Sequence, residues 1–166
     1  MPLIRKVYDG LLELERELAG LKRLVLQERE DMVSLDLNGM GIRRVTLDEA
    51  FARLGLLNAR IAAEIEDACR TSGVTGTSTL TALLAVIPKP DREQFVRIQA
   101  ELQRLGASVE NELAVNRALL KDSLNFTDQS LSMFTAALKT TGTSTYGSQG
   151  RFVDSVEQPR IICKEI

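Results

Sequence analysis

Few residues of this 166-residue chain have side chains that commonly carry out enzyme chemistry. Histidine is absent, which removes the most common general base, the most common zinc ligand and any Ser–His or Cys–His pair. The two cysteines, Cys69 and Cys163, do not form a disulfide framework or a metal-binding pattern. The sequence therefore predicts no catalytic residue, no metal site and no cofactor.

The remaining polar groups favour structural roles over chemistry. Carboxylates such as Glu64 and Glu66 alternate with arginines on an amphipathic helix, as is typical of a solvated face. Gly39 and Gly41 lack the lysine and the strand–turn–helix setting of a phosphate-binding loop. Cys69 lies on or beside an apolar stripe, which predicts a small core residue and not a nucleophile. We therefore expect a protein that is not an enzyme.

The composition indicates a folded, helical protein. Hydrophobic residues make up 44% of the chain and charged residues 27%, whereas aromatic residues contribute only 4%. Scarce aromatics favour a Leu/Ile/Ala core between helices. The net charge of −2 disfavours binding to nucleic acid or to anionic membranes. The N-terminal residues have no apolar signal-peptide core, and no apolar run is long enough for membrane insertion, so a cytoplasmic protein is expected.

Apolar spacing predicts the first helix over residues 3–36. Its stripe alternates spacings of three and four, and Glu28 interrupts it. The residues of the stripe are Ile4, Val7, Leu11, Leu14, Leu18, Leu21 and Val25. The run Asn38-Gly39-Met40-Gly41 is expected to end this helix, because glycine disfavours a helix interior.

Three further helices are predicted over 46–70, 80–87 and 91–139. Thr46 and Glu49 form a capping-box pattern, and Asp91 is expected to cap the last helix. The prediction is an all-α fold: an antiparallel helical hairpin or bundle with coiled-coil character and one long C-terminal helix. The bundle is expected to occupy residues 1–139, followed by a flexible tail over 140–166, which is rich in Thr, Ser and Gly at its start.

The last predicted helix is longer than its neighbours. At 1.5 Å per residue the lengths are roughly 50, 37 and 70 Å for the first, second and last helices, so the last one is expected to project at its C-terminal end. The apolar residues there are Leu120, Leu124, Leu131, Phe134 and Leu138. Such a stripe is normally buried, either against a bound partner or in a homodimer.

The second half of the chain resembles the FlgN family of flagellar type III export chaperones. The long last helix from Gln94 is followed by Asn116-Arg117-Ala118-Leu119-Leu120, which is similar to the family's Asn-x-x-Leu-Leu segment. Tyr146-Gly147-Ser148-Gln149-Gly150 then matches a Tyr-Gly-x-x-Gly signature. One departure is Leu113, where family members often carry a second asparagine.

The resemblance implies a cytoplasmic chaperone that binds the hook–filament junction subunits FlgK and FlgL and delivers them to the export gate protein FlhA. It implies partner contacts for Asn116 and Leu119, and gate docking through Tyr146, Gly147 and Gly150. The predicted client groove is the projecting stripe, because a terminal amphipathic helix of a client needs a long apolar surface. Its residues are Leu120, Leu124, Leu131, Phe134 and Leu138.

Two other functions are compatible with the same pattern. A structural coiled-coil protein would self-assemble through the first helix, although that helix has only about four uninterrupted heptads. A chaperone for a different flagellar subunit, the filament or its cap, would share the helical-hairpin plan, and only the Tyr-Gly-x-x-Gly signature argues against it. A homodimer is compatible with each of these functions.

Overall fold

The computed structural model describes residues 2–74 and 76–140, which form four helices. The helices are α1 (Pro2–Val33), α2 (Leu37–Thr71), α3 (Leu80–Val86) and α4 (Lys89–Thr140). The predicted all-α fold with a long C-terminal helix is confirmed for the described residues. None of these helices has an apolar stretch long enough to cross a membrane.

The chain packs as two compact units. Unit 1 is Met1–Leu120 and unit 2 is Lys121–Ile166, so α4 contributes residues to both. The predicted division between a bundle, 1–139, and a flexible tail, 140–166, stays a prediction, because residues 141–166 lie outside the described residues.

In unit 1, α1 and α2 form an antiparallel hairpin. Arg60 of α2 pairs with Glu13 near the start of α1, whereas Arg43 pairs with Asp31 near its end. Residue numbers therefore rise along α1 as they fall along α2. Ion pairs at or near the surface contribute little to stability, because solvent screens them. The apolar contacts beneath them supply most of the stability of the hairpin.

Within unit 1, the first part of α4 runs parallel to α1. The rings of Tyr8 and Phe95 meet edge to face with their centroids 5.2 Å apart, and Asn116 lies against Val25 further along both helices. Two buried clusters fill the space between the helices. The first contains Val7, Leu11, Leu57, Ile61, Ala68, Cys69, Leu83, Leu84, Ile87, Phe95 and Ile98, and the second contains Leu21, Val25, Leu47, Ala50, Leu54 and Val109.

The short helix α3 completes the first cluster. Leu83 and Ile87 are buried there, and the Thr79 hydroxyl caps the helix by accepting from the Ala82 N–H at 3.2 Å. Cys69 is buried in the same cluster, as predicted, and its thiol lies 3.8 Å from the Thr79 carbonyl oxygen. The apolar residues of α3 therefore close one end of the core of unit 1.

The turn between α1 and α2 differs from the prediction. The first helix ends at Val33, and α2 begins at Leu37 and not near residue 46. The Asp36 carboxylate caps α2 by accepting from the Gly39 N–H at 3.0 Å. A Cβ atom at position 39 would lie 2.6 Å from Asp36 Oδ2, so glycine leaves room for the cap. Gly39 and Gly41, which were expected to end a helix, lie in the first turns of the next one.

The chain reverses direction at Leu35 instead. Its φ of 56° is in the left-handed region, which costs a residue with a Cβ roughly 1–2 kcal/mol. Thr46, predicted as a helix cap, lies inside α2, where its hydroxyl donates to the Ile42 carbonyl at 3.0 Å. The capping-box prediction for Thr46 and Glu49 is therefore wrong, because the helix already has a cap at Asp36.

The α4 helix also begins earlier than predicted. It starts at Lys89, so Asp91 lies in its first turn and is not its cap. Pro90 is tolerated there because a first-turn residue has no intrahelical partner for its N–H group. The Arg92 N–H donates to the Pro88 carbonyl at 3.0 Å. The guanidinium of Arg92 also donates to the carbonyls of Ala85 and Ile87, which ties the start of α4 to the end of α3.

The observed caps give a direct test of these helix bounds. We expect Asp36→Ala to lower the free energy of unfolding by about 1 kcal/mol, because the Gly39 N–H loses its acceptor. Thr46→Ala should leave it within about 0.5 kcal/mol of wild type, because this position is inside a helix. Urea unfolding followed by circular dichroism measures both variants. An equal or larger loss in Thr46→Ala would contradict the observed start of α2.

Candidate partner-binding site

A buried polar layer joins α1 to α4 in unit 1. Asn116 is the one buried polar side chain among the described residues, with 2% of its surface exposed. Its Nδ2 donates to the Val25 carbonyl at 2.8 Å and to Glu28 Oε2 at 2.9 Å. Its Oδ1 accepts from Arg29 Nε at 3.0 Å. Both donors and the acceptor of the amide are therefore bound within the chain, as a buried polar group requires.

Arg29 extends this layer along α4. Its Nη2 donates to Glu112 Oε2 at 2.5 Å and to the Glu112 carbonyl at 3.1 Å. Both side chains of this ion pair are mostly shielded from solvent. Glu28, which interrupts the apolar stripe of α1, faces Asn116, which occupies a matching place on α4. In the sequence, Glu28 interrupts the apolar stripe of α1 and Asn116 interrupts that of α4. These polar residues were the sequence signal for the layer, but the contact between them was not predicted.

The structure shows where the two predicted partner-binding residues of the Asn-x-x-Leu-Leu segment, Asn116 and Leu119, lie relative to this layer. Asn116 points into unit 1, whereas Leu119 is half-buried. A partner contact by Asn116 stays a prediction, and it would require the amide to give up the bonds to Val25, Glu28 and Arg29. The observed geometry favours Asn116 as a residue that positions α4. Leu119 keeps a partly accessible apolar side chain.

The predicted client groove consists of exposed side chains on α4. Leu120 belongs to unit 1 and is 39% exposed. Unit 2 contains Leu124, Leu131, Phe134 and Leu138, which are all more than half exposed. At 3.6 residues per turn, the four side chains of unit 2 fall within a sector of about 80° around the helix. They therefore form one apolar stripe, which the groove prediction required.

Two more apolar side chains widen this stripe. Phe126 and Met133 are 72% and 74% exposed and lie one heptad apart. With these two residues the apolar side chains of α4 in unit 2 span about half of the helix circumference, although Ser123 and Ser130 lie between them and Phe134. Sequence reasoning missed both residues because it followed a single narrow stripe. The signal in the sequence was their separation of seven residues, or about two helical turns, which places both on the same side of α4.

Reactive groups are scarce around these surfaces. The described part of the chain holds no cluster of three His, Cys, Asp or Glu side chains able to bind a metal. The pKa of Glu101 is lowered by hydrogen bonds from Arg104, and this pair lies on the exposed surface of α4. A surface ion pair of this kind is a structural feature.

The residues predicted to dock to an export gate are not part of this geometry. Tyr146, Gly147 and Gly150 lie outside the described residues, as does Cys163.

Comparison with known proteins identifies one similarity. The model of the family described as "FlgN protein" matches residues 1–152. This match covers both the α1–α2 hairpin and the long α4 helix, and it extends through the Tyr-Gly-x-x-Gly segment at residues 146–150. No curated protein and no solved structure matches the chain.

The polar layer is testable by removing its central amide. We expect Asn116→Ala to lower the free energy of unfolding by roughly 2–3 kcal/mol, because Glu28, Arg29 and the Val25 carbonyl lose a buried partner. The control is Asn58→Ala on the exposed face of α2, which should change stability by less than about 0.5 kcal/mol. Urea unfolding measures both. Equal effects in the two variants would contradict a structural role for the layer.

Proposed function

Because the chain belongs to the FlgN family, whose members are flagellar export chaperones, we propose that it binds hook–filament junction subunits of the FlgK and FlgL type in the cytoplasm before their secretion. The family assignment, expected from the second half of the sequence, extends over residues 1–152. The observation that carries the proposal is the exposed apolar face of α4 in unit 2.

The proposed contact is between helices. A terminal segment of the subunit (the client segment) forms an amphipathic helix, whose apolar side packs against Leu124, Leu131 and Phe134. Burying a leucine or phenylalanine side chain contributes about 1.5–3 kcal/mol. The burial of several such side chains on one face offsets the translational and rotational entropy that is lost when the two molecules associate. The chaperone thereby covers a client surface that would otherwise be exposed to water.

Delivery is proposed to use the segment that follows α4. The FlgN resemblance implies that Tyr146 inserts into a pocket of the gate protein FlhA, since an aromatic ring with a hydroxyl is a good anchor. Gly147 and Gly150 allow the backbone to turn beside it. This arrangement separates the two tasks along the chain, with the client on α4 and the gate on the segment beyond it.

Self-assembly through the first helix is the weaker alternative. The apolar stripe of α1 is used inside unit 1, where Val7, Leu11, Leu21 and Val25 are buried. A second copy would have to displace α2 or α4 to reach it. A dimer would instead have to use the exposed face of α4, and light scattering distinguishes such a dimer from a client complex.

Charged substitutions on α4 test the client contact. We expect Phe134→Asp, and separately Leu131→Asp, to weaken binding of the terminal segment of a FlgK-type subunit at least tenfold, because a carboxylate would be buried in the contact. Both side chains are exposed, so the fold should be retained. Isothermal titration calorimetry measures affinity, and size-exclusion chromatography with light scattering measures complex mass.

Leu56→Asp is the matched control, since Leu56 is an exposed leucine of α2 that lies outside the proposed face. It should bind the client segment like the wild-type chain. No binding by the wild-type chain would overturn the chaperone proposal. Full binding by both α4 variants would overturn the proposed face.

The gate contact has a separate test. We expect Tyr146→Ala to lower the affinity for FlhA while leaving client binding and stability unchanged, because the client contact is proposed on α4. Surface plasmon resonance with immobilised FlhA measures this difference. A Tyr146→Phe variant should keep most of the affinity if the ring is the anchor. Unchanged gate affinity in Tyr146→Ala would exclude the docking role.

A further inference from the structure

A groove lies along the seam between α1 and α2 in unit 1, and we call it the hairpin groove. Its volume is about 400 Å³. In unit 1, α4 packs on another side of α1, where Asn116 binds residues 25–29, and no residue of α4 lines the groove. The main lining residues are Arg16, Gly20, Arg23 and Leu24 of α1 with Ala50 and Arg53 of α2.

Two arginines carry the charge of the hairpin groove. Arg53 pairs with Glu17, which also lines the groove, at 3.6 Å. Arg16 and Arg23 are exposed, and no ion pair or hydrogen bond engages either guanidinium within the described residues. A guanidinium binds a carboxylate through two parallel hydrogen bonds. The groove is therefore complementary to a ligand that carries two carboxylates.

Gly20 leaves open space between these two arginines. At 3.6 residues per turn, Arg16, Gly20 and Arg23 fall within a sector of about 60° around α1. A Cβ atom at position 20 would have no neighbour within 4 Å, whereas one at Gly10 would lie 3.0 Å from Ile61. Packing between α1 and α2 therefore explains the glycine at position 10 but not the one at position 20. The missing side chain allows another backbone to approach α1 closely.

The spacing of the arginines indicates the form of the ligand. Arg16 and Arg23 are seven residues apart, which is about 10 Å along the helix axis. A partner helix lying along the groove matches this distance with two acidic residues that are also seven apart. A small residue between them then lies over Gly20. No two acidic residues of this chain are seven apart, so a second copy does not offer this match.

Carboxylates beyond the arginines disfavour a long polyanion. Glu13 and Glu30 are exposed on the same side of α1, one before Arg16 and the other after Arg23. A nucleic acid strand or an anionic membrane would extend over both glutamates and be repelled by them. A pair of carboxylates about 10 Å apart contacts the arginines alone.

We propose that the hairpin groove binds an acidic helical segment of a partner protein. Its two carboxylates pair with Arg16 and Arg23, and a small residue between them packs over Gly20. The site uses residues of α1 and α2 only, so it goes beyond the proposed function and does not depend on it.

A synthetic peptide tests the charge recognition. The probe is an alanine-rich helical peptide with two glutamates seven residues apart, titrated into the ¹⁵N-labelled full chain at low ionic strength. We expect NMR signals of the groove residues to shift. An Arg16→Gln/Arg23→Gln variant should bind at least tenfold more weakly, because both carboxylates lose their partners. The same peptide with glutamines in place of the glutamates should also bind at least tenfold more weakly.

The matched control for charge is Arg97→Gln/Arg117→Gln. Both arginines are exposed on α4 outside the groove, so this variant loses the same net charge. It should bind the acidic peptide like the wild-type chain. Equal losses in the two double variants would show a non-specific charge effect and overturn the proposed site.

A second substitution tests the space over Gly20. We expect Gly20→Leu to fill the groove and weaken peptide binding at least tenfold. Its melting temperature should equal or exceed that of wild type, because leucine favours a helix and a Cβ atom there meets nothing within 4 Å. Gly55→Leu is the matched control, since Gly55 is an exposed glycine of α2 with the same free space. It should keep wild-type affinity.

Several results would overturn the inference. These are no shift of the groove signals at millimolar peptide, or equal affinity for the glutamate and glutamine peptides. A single-stranded oligonucleotide that binds the groove more tightly than the acidic peptide would assign the arginines to nucleic acid. A wild-type dimer that becomes a monomer in Gly20→Leu, measured by light scattering, would assign the groove to a second copy. None of these results alters the test of client binding on α4.

Discussion

The packing of unit 1 depends on one buried amide. Asn116 binds the backbone of Val25 and the side chains of Glu28 and Arg29, so α4 has one preferred position along α1. Apolar stripes alone permit several registers that differ by a helical turn, because leucines on neighbouring turns are interchangeable. A buried amide does not permit them, since any shift would leave polar groups without partners.

This register decides which apolar residues are available for binding. Before Asn116, Phe95, Ile98, Leu105 and Val109 of α4 are buried. After it, every leucine and phenylalanine of α4 in the described residues is half-buried or exposed. The same type of heptad pattern therefore serves as a core on one side of the polar layer and as an accessible surface on the other. A chaperone needs both, because it must remain folded while presenting an apolar face to a client.

Much of this organisation was predictable from the sequence. Heptad spacing identified α1 and α4, the scarcity of aromatics indicated a helical core, and the Asn-x-x-Leu-Leu and Tyr-Gly-x-x-Gly segments indicated the FlgN family. The exposed leucines of α4 were also predicted, by comparing helix lengths. The turn between α1 and α2 was not predictable in this way, because glycine usually disfavours a helix interior and Gly39 lies inside one. In the fold it makes room for the Asp36 carboxylate, and Leu35 takes the left-handed conformation usually given to glycine.

By itself the sequence determined the local properties of the chain: which segments are helical, which stripe of each helix is apolar, and which family it resembles. These follow from periodicity and from short motifs, which depend on residues close together in the chain. Only the tertiary structure decided that Glu28 and Asn116, 88 positions apart, form one layer, and that Asn116 points inward while Leu35 points out. The physical reason is that burial and hydrogen bonding between distant residues depend on how helices pack, and a helix-by-helix pattern does not contain that information.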